Sequence, residues 1–302
     1  VAHRIQTGLG RLGVASSPRP LAGIAWMTAT TLNFVMVNVL VKYVGNALPI
    51  FESAFLRFAL GLVFFIPFIG QVRQVDFTRR IVKLSVGRAV FHAFAMVAWF
   101  YAMTRIPMAE VTAMNFMNPV YVSLGAVVLF GERIALPRIA ALGIAFLGGL
   151  VILRPGLREI DPGHVAMIFS ALFFAGSYLI ANALSKELPA AVVVFLMSAM
   201  VPFVLLPFAL ADWVAPSFRE IGLLFFTAFF ATAAHYCMTR AFACAPQTVL
   251  QPVTFVQLVW ATSVGYFLFG EGIDGFVIAG GAMIIAAVSF ITWREAWRKR
   301  RA

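Results

Sequence analysis

The chain has 302 residues, 62% of them hydrophobic and only 12% charged, with a mean hydropathy of +0.94. That is too little polar material to cover a water-soluble globule of this size, so the composition excludes a soluble protein and calls for an integral membrane fold. The formal net charge of +11 lies in loops and tails rather than on a polar helix face, which marks membrane topology and argues against a nucleic-acid partner.

Residues 1–19 carry arginines and a Ser-Ser-Pro turn but no apolar core, and are expected to form a cytoplasmic tail rather than a cleaved signal peptide. Apolar runs then follow at 20–41, 49–70, 81–103, 108–130, 135–153, 162–184, 189–211, 221–243, 248–269 and 275–293, each about long enough to cross a hydrocarbon core. The connections are short, so consecutive helices must run antiparallel. Residues 294–302 form a basic tail. Sixteen Lys and Arg lie on the side shared by the termini and five on the other, which places both termini in the cytoplasm. Cys237 and Cys244 lie in or beside one apolar run with neither metal nor disulfide spacing, so no cofactor or metal is expected.

The fourth and ninth runs repeat each other at an offset of 139. Phe116 matches Phe255, Val120 matches Val259, and Leu129-Phe130-Gly131-Glu132 matches Leu268-Phe269-Gly270-Glu271. Between these anchors, Asn118 with Tyr121 matches Gln257 with Trp260. At an offset of 140, Gly23 matches Gly163, Pro49 matches Pro189 and Pro67 matches Pro207. The chain therefore divides into repeats at 20–153 and 162–293 joined by a linker at 154–161. Five spans per repeat is an odd number. The second copy must then enter the membrane inverted, as in many secondary transporters.

Polar groups near the middle of a span are candidates for function because they are costly in hydrocarbon. His92 lies about 16 Å into its run at 1.5 Å per residue, on one helical face with Arg88, Met96 and Trp99. His235 maps onto the same face of the repeat-equivalent eighth run. Asn33 on the first run, Tyr178 on the sixth, and Asn115, Asn118, Gln257 and Trp260 on the repeated pair complete a neutral, amide-rich and aromatic substrate-binding set. Such a lining suits a small zwitterion or an uncharged polar solute. The same side chains could instead bond between helices, each contributing about 0.6 to 2 kcal/mol.

No carboxylate occupies a midplane; Glu52 and Glu110 lie only a turn inside. That weighs against exchange of organic cations for protons. Arg57 is expected to form a structural ion pair with Glu52 or Glu110. Arg88 can snorkel to headgroups or face a cavity mouth. Gly143, Gly148 and Gly149 in the fifth run and Gly275, Gly280 and Gly281 in the tenth mark close contacts, either within the chain or between two copies. A functional monomer is favoured because the repeat already supplies two halves. Pro67, Pro119, Pro202, Pro207 and Pro252 are expected to kink their helices. No HExxH motif and no nucleophile with its base point to an enzyme.

Two five-span repeats, the Arg57-Phe58 pair and the LFGER and LFGEG helix ends resemble the EamA family of the drug/metabolite transporter superfamily, and within it the YddG-type amino-acid exporters. The resemblance runs from Pro20 to the tenth span. It implies an all-α membrane protein of the bacterial inner membrane that exports amino acids, aromatic ones included, or similar metabolites by alternating access. It also implies a central cavity formed mainly by the first, third, fourth, sixth, eighth and ninth spans. Met197 stands where the first repeat has Arg57, which puts a symmetric arginine role in doubt. The first-span glutamate of small multidrug members is replaced here by Thr30, Thr31 and Asn33.

Overall fold

The computed structural model describes residues 19–130, 136–157, 159–185, 187–245 and 247–299. The predicted tail before Arg19, the Gly131-Glu132-Arg133 end of the first repeated motif and the last three residues of the basic tail lie outside these ranges. Among the described residues every regular element is a helix. In order they are α1 (Pro20–Val44), α2 (Ile50–Gly61), α3 (Ile69–Val72), α4 (Arg79–Arg105), α5 (Met108–Asn115), α6 (Asn118–Phe130), α7 (Leu136–Leu153), α8 (Pro162–Ser185), α9 (Ala190–Ala211), α10 (Phe218–Cys244), α11 (Gln247–Thr254), α12 (Val256–Phe269) and α13 (Gly275–Lys299). A 3-10 stretch, Leu62–Phe68, joins α2 to α3. Among the described residues, 9 helices are long and apolar enough to cross a membrane.

The difference from the expected ten lies in the fourth run, which is not one helix. Pro119 has no N–H to donate and its ring would strike the carbonyl of Asn115, so the helix stops there and α6 starts afresh. Pro119 therefore breaks the run rather than kinking it. The ninth run divides in the same place, after Pro252, between α11 and α12. In the second run Pro67 sits inside the 3-10 stretch, whereas its counterpart Pro207 and Pro202 lie within the continuous helix α9. A seven-residue 3-10 segment is long for that geometry and marks a point of weak helical bonding.

Helix pairing repeats across the two halves. The first helix α1 packs on α10, and its counterpart α8 packs on α4; α2 lies against α9, and α7 against α13. The last contact answers the question posed by the glycines. A methyl on Gly148 would lie 2.7 Å from the Gly280 carbonyl oxygen, and one on Gly280 would strike the Gly148 carbonyl. The fifth and tenth runs, α7 and α13, thus touch backbone to backbone within one chain. Gly143 and Gly275 have nothing near them. Helix starts are set locally: the Thr78 side chain accepts from the Ile81 N–H, and Ser217 with Glu220 forms a capping box at α10. Large apolar side chains such as Phe203, Leu147 and Phe267 point outwards, which suits a surface bathed in lipid.

Candidate functional site

Antiparallel succession puts Pro20 and Lys299 at one end of the bundle and the residue 45–49, 106–107, 154–161 and 270–274 connections at the other. That far end is tied across the two repeats. Glu271 pairs with Lys42 at the end of α1, and its second oxygen accepts the Met108 N–H at 2.9 Å. Arg154 pairs with Asp274. His164 Nε2 lies 2.5 Å from Glu110 Oε2, and both side chains are 4% exposed. Glu52, fully buried, accepts the Val214 N–H at 3.0 Å. The Arg154 pair ties the linker to the second repeat, and each of the other contacts joins one repeat to the other. Toward the opposite end the described polar contacts of this kind are an exposed Arg80 to Glu187 pair and the buried bond from Arg88 to the Val193 carbonyl, with the Arg19 N–H to Cys244 carbonyl bond of 3.0 Å beside them.

Between the ends, the two helix breaks meet. Phe116 and Phe255, the repeat-equivalent residues at the breaks, pack edge to face with ring centroids 5.1 Å apart. A contact between equivalent residues places this point on the axis relating the repeats. Asn118 Nδ2 donates to Asn115 Oδ1 at 2.9 Å. Asn118 Oδ1 and Trp260 Nε1 are buried with no hydrogen-bond partner among the described residues, an uncommon state that a packed structure seldom leaves uncompensated.

A cavity of about 510 Å³ opens below the axis, between α2, α4, α9 and α10. It is within the size range of small-molecule sites. By position along their helices, Arg57, His92 and Ala228 line the part of it nearer the bundle's middle, and Phe68, Ala191 and Thr239 line the part nearer the bundle end that carries Pro20 and Lys299. Equivalent positions of the two repeats face each other across it: Arg57 with Met197, and His92 with Ala231. Aromatic rings from the 3-10 stretch, Phe64, Phe65 and Phe68, form one wall. The glycine-free LVFFIPF segment is the sequence signal that could have found this wall.

Of the sequence-derived site residues, His92 and His235 line this cavity. His92 sits between the Phe58 and Phe174 rings at 5.7 and 5.2 Å, with Nδ1 3.4 Å from Ser177 Oγ. His235 meets Phe34 edge to face at 5.5 Å. The others lie outside its lining. Met96 and Trp99 are buried in the core. Asn33 donates back to the Ala29 carbonyl of its own helix at 2.7 Å. Tyr178 stacks on Phe174 and is 46% exposed. Asn115 and Asn118 flank the first helix break, and Gln257 and Trp260 follow the second in α12. This cavity is bounded by the second, third, seventh and eighth runs, of which the third and eighth are among those the resemblance implied.

The expected ion pair of Arg57 is also corrected. Glu52 is turned to Val214 and Glu110 to His164, so neither reaches the guanidinium. Arg57 instead lies over the Phe58 ring, 4.2 Å from its centroid, with Nε and Nη1 buried and unpartnered among the described residues. Arg88 donates to the Val193 carbonyl at 2.8 Å and is buried rather than snorkelled. Sequence reasoning passed over His164, Lys42 and Glu271. Glu110 held the available clue, because an acid a turn inside a span requires a partner from elsewhere.

Two copies of one family pattern, the EamA-like transporter family, match at residues 21–154 and 161–293. The chain belongs to the EamA-like transporter family. It is therefore a multi-pass membrane transporter of the drug/metabolite superfamily. Similar EamA-like relatives include an S-adenosylmethionine uptake transporter of Rickettsia prowazekii, 28% identical over 277 residues and covering 91% of this chain and 94% of the relative. A riboflavin transporter of Rhizobium johnstonii is 26% identical over 286 residues, covering 94% and 95%. A pseudopaline exporter of Pseudomonas aeruginosa is 29% identical over 268 residues, covering 88% and 94%. A solved structure aligns with a TM-score of 0.55 at 18% identity, over 91% of this chain and 96% of that one, a likeness of fold. These EamA-like relatives carry chemically different substrates in different directions.

Proposed function

We propose that this chain is a secondary transporter that exports amino acids, aromatic ones included, or similar small metabolites across the bacterial inner membrane. Two inverted repeats, 20–153 and 162–293, joined by the 154–161 linker, rock against each other about the Phe116 and Phe255 contact. In this reading α5 and α6 together make one crossing, which brings the spans to ten, with both termini in the cytoplasm and one chain as the working unit. No metal or cofactor takes part.

The observation that carries the reading is the asymmetry between the ends: Glu52, Glu110 and Glu271 all join the repeats at one end, while the cavity reaches toward the other. A pathway open on one side and closed on the other by contacts between two mobile halves is what alternating access requires. With the charge bias setting orientation, this is the inward-facing state. The sequence-derived residues Asn33, His92, Met96, Trp99, Asn115, Asn118, Tyr178, His235, Gln257 and Trp260 then divide between the present cavity and the path above it. The unpartnered atoms of Asn118 and Trp260 fit groups that engage substrate when the halves rearrange.

Reconstitution in liposomes with labelled amino acids tests the reading. Flux above that of protein-free liposomes is expected for at least one amino acid, and none for any of the twenty would defeat it. Asn118→Ala and Gln257→Ala are expected to lower that flux roughly fivefold, the equivalent of about 1 kcal/mol, while the protein stays folded. Transport of larger metabolites is the second reading, favoured by the names of the relatives. Competition by unlabelled riboflavin or S-adenosylmethionine in the same assay separates the two.

A further inference from the structure

Arg57 is the charged side chain that the cavity and its surroundings leave without an explanation. A guanidinium carries five N–H donors and keeps its charge under all ordinary conditions. Two of its nitrogens are buried without a partner among the described residues, and its flat face rests on Phe58. Among the described residues, no Asp or Glu belongs to the cavity lining. The carboxylates within sequence reach face elsewhere: Glu52 accepts the Val214 N–H through one oxygen, its other oxygen being buried without a hydrogen-bond partner among the described residues, and Glu110 meets His164. Leaving such a charge uncompensated in a low-dielectric setting is costly, and a bidentate oxyanion is its natural partner.

The walls around it define the rest of the ligand. His92 and His235 add hydrogen-bonding nitrogens, Thr232 and Ser198 add hydroxyls, and Phe64 and Phe229 supply ring faces. Because Met197 stands where a repeat-equivalent arginine would be, the site has one anion-binding end rather than two. We propose that this cavity is an anion-selective substrate site: Arg57 takes a carboxylate, and the aromatic wall takes the flat apolar body that bears it. The assignment rests on the transport reading above and adds the chemical class of its substrate. An amino acid enters carboxylate first, and its ammonium meets hydroxyls and ring faces rather than an acid.

Binding to the purified full-length protein in detergent tests this with 3-phenylpropionate, its neutral amide, phenylalanine and phenylalaninamide, followed by calorimetry. The two carboxylates are expected to bind at least tenfold more tightly than their amides. Arg57→Gln is expected to erase that preference, and Arg57→Lys to retain part of it. The acid and amide comparison on the unaltered protein needs no variant to fold. Equal affinity for acid and amide, or an undiminished preference in a folded Arg57→Gln protein, overturns the proposal. Nanodiscs with and without phosphatidylglycerol provide the other arm. Arg57-dependent stabilisation by that lipid, with no binding of the soluble carboxylates, overturns it in favour of a lipid headgroup. Liposome flux separates the two layers of inference. Carboxylate binding without flux keeps the anion site and removes the transport reading, whereas equal flux of acid and amide does the reverse.

Discussion

Replacing Glu271 by Gln is expected to open the end of the bundle at which its contacts tie the two repeats together. Glu271 follows Gly270, whose left-handed backbone (φ +64°) ends α12 and turns the chain back over Gly265. There the carboxylate spans three elements, pairing with Lys42 of α1 and accepting the Met108 N–H of α5. The glutamine loses the charge that Lys42 requires. A fully buried pair broken on one side costs about 3–5 kcal/mol, and an exposed one about 0–1. Side-chain exposures of 18% and 12% place this pair between those limits, so a shift of about 1.5 kcal/mol, roughly tenfold in the balance of the two states, is expected.

Met103, buried near the end of α4, reports this opening when changed to Cys in a protein lacking Cys237 and Cys244. Its labelling by an impermeant maleimide applied from the far side is expected to accelerate roughly tenfold on Glu271→Gln, in proportion to the shifted equilibrium. Adding Lys42→Met should return much of the difference, because the unpaired cation is then gone. An unchanged labelling rate in the single variant would remove Glu271 from the closure.

Gly280→Leu is expected to be the most damaging single change to stability. Any Cβ at this position meets the Gly148 carbonyl, the Ile152 side chain at 2.7 Å and the Ile152 nitrogen at 3.2 Å. Two of these three atoms are backbone, so the neighbour cannot swing aside. Replacing a helical glycine by a better helix former gains about 1 kcal/mol. Overpacking costs about 1–3 kcal/mol even in cores that can adjust, and leucine goes well beyond the single methyl that already clashes. The melting temperature in detergent should fall by roughly 5 °C or more, taking about 2–4 °C per kcal/mol for a chain of this size. Gly143→Ala, with nothing within 4 Å of the added methyl, is the matched control and should not lower it. Wild-type stability of Gly280→Leu would mean that α7 and α13 do not pack in this way.

The apolar runs, their short connections and the repeat were legible because each is a local property of the chain. Hydrocarbon demands long apolar helices, and a gene duplication leaves the same residues at the same spacing. Phe116 and Phe255 were visible as equivalent positions; their contact was not, because it depends on how two half-helices cross in space. Pro119 was visible as a disturbance, but whether proline kinks or breaks a helix depends on what else can satisfy the freed backbone groups. The partners of Glu52, Glu110 and Arg57 were misjudged for a related reason. Sequence proximity and depth suggested that the acids served the arginine, whereas tertiary packing supplied Val214 and His164 from the other repeat. Helical phase brought His92 and His235 to one cavity, yet it could not show that α2 and α9 would form the walls.

Distances between spin labels test the central claim most directly. One pair, Asn46→Cys with Ile273→Cys, spans the two repeats at the tied end; another, Gln71→Cys with Ala243→Cys, spans them at the cavity end. Both pairs are made in the background lacking Cys237 and Cys244 and measured in lipid nanodiscs with and without Glu271→Gln. The account predicts that the first distance lengthens on opening while the second shortens in the same samples, as two halves rocking about one axis require. Two distances that stay fixed, or that lengthen together, would contradict it.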